Sequence, residues 1–111
     1  MKQLLGGGLV TLLLSASLVG TGHGAGDPAK GREKSLQCMG CHGIPTYTFV
    51  YPSYRVPKLA GQHADYIVAA LKGYKSGERK HPTMQAQAAS LSEQDMADLA
   101  AFFSSLTHGS K

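Results

Sequence analysis

The sequence predicts a small all-α domain, on two observations from spacing and one from what is missing. Apolar residues recur at helical intervals in two stretches, Tyr66, Ile67, Ala70, Leu71, Tyr74 and Met96, Leu99, Ala100, Phe103, Leu106. Capping residues, Ser92 and Asp27, stand where the second of those helices and a further, shorter one would begin. Strand-like alternation is scarce across the 111 residues, and that length is too short for two ordinary domains.

Taken in order, the chain opens with an export signal. Lys2 precedes the apolar stretch Leu4 to Val19, and small residues follow from Gly20 to Ala25. That order is a secretory signal peptide, assigned to residues 1–24. Cleavage after Gly22, Gly24 or Gly26 satisfies the small-residue rule equally, and an uncleaved anchor is the competing reading. The apolar run falls short of the roughly 20 residues that a membrane span needs. The working domain is then residues 25–111, exported to the periplasm.

The first helix starts at Asp27-Pro28, an N-cap followed by proline in the first helical position. It leads into Cys38. Gly31 reads either as the site of a close helix crossing or as an ordinary tolerated glycine. Residues 44–58 carry Pro45, Pro52 and Pro57 with four aromatics, Tyr47, Phe49, Tyr51 and Tyr54. The prolines argue for a loop over a strand. The helix after His63 has Lys72 and Lys75 near its C-terminus and ends at Gly77. A further loop, 77–85, contains His81, Pro82 and Met84. The last helix starts at Ser92, with Asp95 three residues on approximating a capping box, and Glu93, Asp95 and Asp98 suit the helix dipole.

Chemistry concentrates in C-M-G-C-H, residues 38–42. Cys38 and Cys41 are the only cysteines. A disulfide across two intervening residues closes too small a loop to stabilise much. A thioredoxin-like redox pair wants a βαβ context. A structural zinc site wants four ligands, which His23, His63, His81 and His108 would have to complete at no familiar spacing. Covalent haem attachment uses all three residues: each thiol forms a thioether to a vinyl group, and the imidazole of His42 is placed to bind iron. Gly40 and Gly43 fit a backbone lying close to the ring.

Four segments, GREKSLQCMGCHG (31–43), VPKLAGQHADYIVAALKGYKSGER (56–79), HPTM (81–84) and LSEQDMADLAAFFSSL (91–106), together resemble a class I c-type cytochrome, similar to the small bacterial carriers of the c-four and c-five kind. The resemblance implies three to five helices wrapped around one haem c per chain. It implies that the Pro57 carbonyl accepts a hydrogen bond from the second nitrogen of His42, fixing the tautomer and strengthening the donor. It also favours Met84 as the sixth ligand. His81 is the rival ligand, Met39 lies on the wrong side, and Met96 reads as core. Arg55 is a weaker candidate partner for a haem propionate. Other family members carry two haems, whereas this sequence contains a single C-x-x-C-H.

Lys plus Arg is 11 and Asp plus Glu is 7, for a net +4 that lacks the basic runs of a nucleic-acid binder. Arg55, Lys58, Lys72, Lys75, Arg79 and Lys80 outnumber Asp65 and Glu78 in one sector. This sector would turn the haem edge toward an acidic partner. The expected function is single-electron transfer between exported redox proteins by a monomer, with no substrate chemistry of its own. The alternatives are a permanently bound haem subunit of a dehydrogenase or oxidase, and a gas-sensing or peroxidase-like centre with Met84 unligated. A domain of about 85 to 90 residues has a modest core, so its apoprotein is expected to be largely unfolded.

Overall fold

The structure, a computed structural model, describes residues 25–44, 46–50 and 53–106. Residues 1–24, read above as a signal peptide, lie outside these residues, as do Pro45, Tyr51, Pro52 and His108. Among the described residues five helices appear in chain order: α1 Pro28–Lys34, α2 Leu36–His42, α3 Ala64–Ser76, α4 Pro82–Ala89 and α5 Glu93–Ser105. A two-stranded hairpin, β1 Thr48–Val50 and β2 Ser53–Arg55, sits between α2 and α3.

Local signals set most of the helix ends. The Asp27 carboxylate accepts from the backbone N–H groups of Ala29 and Lys30, with Pro28 in the first turn. α3 stops at Gly77, whose φ of 83° is left-handed and open to glycine at little cost. Ser92 and Asp95 form the reciprocal capping box at the start of α5, with bonds of 2.9 and 3.1 Å.

α1 crosses α5 face to face, and α5 also packs on α3, which packs on α4. The crossing is made at Gly31: a Cβ there would lie 2.0 Å from the Asp98 carbonyl oxygen. Of the two readings of this glycine, the close crossing is the one the structure adopts. The central cluster is Ile67, Leu99, Ala100 and Phe103, and Met96 is buried beside it on α5.

An ionic network reinforces the crossing. The carboxylate of Asp98, fully buried, accepts from Asp27 N–H at 2.8 Å, Lys34 Nζ at 2.6 Å and Gln94 Nε2 at 2.8 Å. Lys34 also reaches Asp95 at 2.7 Å. A buried carboxylate with three donors is satisfied, which offsets its loss of water. The Asp27 backbone N–H, then Lys34 and Gln94, hold the Asp98 carboxyl well below the ordinary range. Asp95 is lowered to about 2, first by Lys34 and then by the Ser92 cap.

Three sequence expectations are corrected. Residues 44–58 hold the hairpin rather than only a loop: Phe49 pairs with Tyr54, and their rings stack 5.1 Å apart. The prolines do not forbid it, because none falls within either strand. Met84 lies on a helix, α4, and not in a loop, since Pro82 occupies a first-turn position where a missing N–H costs nothing. Tyr66 leaves the apolar stripe: it is 51% exposed, and its hydroxyl meets Arg79 at 3.4 Å.

Two outcomes test this account. Gly31→Ala should destabilise the folded holoprotein by about 1–3 kcal/mol, as overpacking does, read from its denaturation midpoint. The carboxylates of Asp95 and Asp98 are lowered by folding, so their stabilisation is complete above about pH 5, where the unfolded groups are also ionised. It is lost as the pH falls from about 4 toward 2. Asp98→Asn should lower the midpoint at pH 7 and flatten this acid loss, measured by denaturation across pH.

Candidate functional site

α2 carries the C-x-x-C-H residues on one face. Cys38 and Cys41 are one turn apart, and His42 follows at the helix end. Both thiols are free and partly buried. Cys38 packs against the cluster of Ile67, Leu99, Ala100 and Phe103, so this face of α2 opens onto the apolar centre of the molecule. Burial pushes the Cys38 thiol up, with the neighbouring Cys41 adding to the effect. A reactive redox pair needs the opposite, a thiol lowered by positive surroundings.

His42 is oriented by the segment that follows the hairpin. Its Nδ1 lies 2.6 Å from the Pro57 carbonyl oxygen. A carbonyl can only accept, so Nδ1 carries the proton, and Nε2 is left with its lone pair. Both ends of the Pro57 segment are anchored. Val56 N–H donates to the Tyr47 carbonyl at 2.9 Å, extending the hairpin, and Gly61 N–H donates to the Phe103 carbonyl at 2.9 Å on α5. Leu59, between them, packs on the central cluster.

Met84 sits in the first turn of α4 and is half-buried. Its backbone N–H donates to His81 Nδ1 at 3.3 Å. Met39 is exposed on α2 and Met96 is buried in the core, which leaves Met84 as the methionine of α4. His63 precedes α3 as an exposed residue whose side chain makes no cap bond. Arg55 ends β2 and is exposed. A Cβ on Gly40 would meet nothing within 4 Å, so no protein atom crowds that glycine.

These residues fit a covalently held haem. Cys38 packs on the apolar centre with Cys41 one turn along the same helix face, and the adjacent imidazole is held in the tautomer that presents Nε2 to a metal. They do not fit a protein-only metal site: among the described residues no three His, Cys, Asp or Glu side chains come together. The sequence missed the Asp98 network and the cap formed by His81. The first depends on a tertiary crossing, and the second has its signal in histidine one position before Pro82, a place where capping residues stand.

Comparison with known proteins agrees with this geometry. The family model for cytochrome c matches residues 28–107. A cytochrome c4 of Pseudomonas aeruginosa is 41% identical over 97 residues, covering 87% of this chain and 47% of its own length. Cytochrome c-554(548) of Halomonas halodenitrificans is 40% identical over 84 residues, 73% of this chain and 98% of its own. The crystal structure of reduced recombinant cytochrome c4 from Pseudomonas stutzeri aligns with a TM-score of 0.55 at 27% identity, covering 75% of this chain and 51% of that one. The chain thus spans about half the length of the cytochrome c4 relatives it matches. With a helical frame, a helix that carries C-x-x-C-H and this match across most of its length, the chain belongs to the cytochrome c family as a class I c-type cytochrome of the c4 group.

Proposed function

We propose that this c-type cytochrome is a periplasmic single-electron carrier with one haem c, attached through Cys38 and Cys41 and held axially by His42 and Met84. The observation that carries the reading is the 2.6 Å bond between His42 Nδ1 and the Pro57 carbonyl. It leaves Nε2 as the free donor nitrogen on the helix that carries both thiols, of which Cys38 packs on the core. A haem bound there supplies the one-electron redox couple. The chain's own part is to fix the imidazole, shield the ring with the core cluster and offer a thioether from α4. Imidazole–thioether ligation raises the reduction potential, which suits a high-potential carrier.

Export follows from the signal reading of residues 1–24, and no helix among the described residues is long and apolar enough to cross a membrane. The partners are exported redox proteins that meet this monomer through acidic surfaces. Lys72 shares the carboxylate of Glu93 at 3.3 Å, so the basic excess rests on Arg55, Lys58, Lys75, Arg79 and Lys80. Such an encounter is brief and salt-sensitive.

The test is the visible spectrum of the ferric holoprotein matured in a periplasm. The methionine–iron charge-transfer band should be present, and Met84→Ala should abolish it and lower the reduction potential while the haem stays attached. A spectrum with attached haem and no such band would mean a sixth site that is open or histidine-filled, and would put sensing or catalysis ahead of the carrier reading.

A further inference from the structure

The first turn of α4 is built around a second histidine. His81 is extended, with φ −161° and ψ 101°, and Pro82 follows it in the first turn. Its Nδ1 accepts from Met84 N–H at 3.3 Å, while its own backbone N–H donates to Gln85 Oε1 at 3.1 Å. This is a reciprocal cap of the capping-box kind. The returning side chain comes from Gln85, one residue later than usual, because Met84 occupies the customary position.

The ring is held from two sides. Tyr54 of the hairpin meets it edge-on at 4.7 Å, and Tyr74 of α3 at 6.4 Å. Tyr54 is itself stacked on Phe49, and its hydroxyl donates to Thr83 Oγ1 at 3.5 Å. The hairpin therefore straps the first turn of α4 at the residue just before Met84.

The two histidines are set in opposite tautomers. His42 donates from Nδ1 and keeps a lone pair on Nε2. His81 accepts at Nδ1, so its proton sits on Nε2, and that nitrogen has no lone pair for iron. We propose that His81 is a positioning residue and not an iron ligand: it caps α4 and, clamped by Tyr54 and Tyr74, fixes the backbone of Met84 so that its thioether stays on the iron. This rests on the reading of Met84 as the sixth ligand.

The experiment compares holoproteins of the natural sequence, Met84→Ala, His81→Ala and His81→Asn. Its readouts are the ferric charge-transfer band, the rate of carbon monoxide binding to the reduced protein, and helix content by circular dichroism. Asparagine caps as well as any residue. His81→Asn should therefore keep the band and bind carbon monoxide within about twofold of the natural rate. His81→Ala should weaken the band and bind about five- to tenfold faster, as expected for loss of one cap, with helix content otherwise retained. If His81→Ala fails to mature, a native spectrum in His81→Asn still supports the proposal. Loss of the band in both His81 variants would overturn it, since a restored cap would then fail to hold Met84 in place. A native band and rate in His81→Ala, with the band lost in Met84→Ala, would overturn positioning and leave Met84 ligation standing. Absence of the band from the natural sequence would remove Met84 ligation and the proposal with it.

Discussion

The fold is built outward from the place where Gly31 lets α1 lie on the backbone of α5. Only a residue without a side chain can sit that close to the Asp98 carbonyl. The same residue, Asp98, then turns its carboxylate back to Asp27 and Lys34 at the two ends of α1. One short helix is thereby fixed along its length, by sterics in the middle and by charge-assisted bonds at its ends. α2 follows α1 after Ser35 alone, so the crossing also fixes where Cys38 begins.

The site is assembled from elements that the crossing does not itself hold. Among the described elements α2 packs on α1 alone and buries none of its seven residues, although Cys38 touches the core. The hairpin contributes twice without belonging to the helical core. Its far end delivers the Pro57 carbonyl to His42, and its Tyr54 ring bears on His81. A feature that the prolines disguised as a loop thus touches both histidines on which the proposed axial ligation depends.

What was legible in the sequence was local. The caps at Asp27 and Ser92, the glycine stop at Gly77 and the C-x-x-C-H motif each lie within a few residues, and each has a physical reason that needs no tertiary knowledge. The hairpin was hidden because strand pairing is non-local and its prolines flank the strands instead of entering them. The helix under Met84 was hidden because Pro82 signals equally a stiff loop and a helix start. Asp95 and Asp98 read as acids suited to a helix dipole, while their partnership with Lys34 exists only once α1 and α5 meet. The Pro57 contact came from family resemblance, since a backbone carbonyl has no residue-type signature.

On the proposed function, covalent attachment of haem to α2, more than packing between protein elements, completes this domain. Circular dichroism of the Cys38→Ala/Cys41→Ala chain, followed through a thermal melt beside the holoprotein, tests it most directly. The unattached chain should show much reduced helix content and no cooperative transition. Native-like helix content with a cooperative melt would contradict it, and would mean that the α1–α5 crossing suffices to fold the domain.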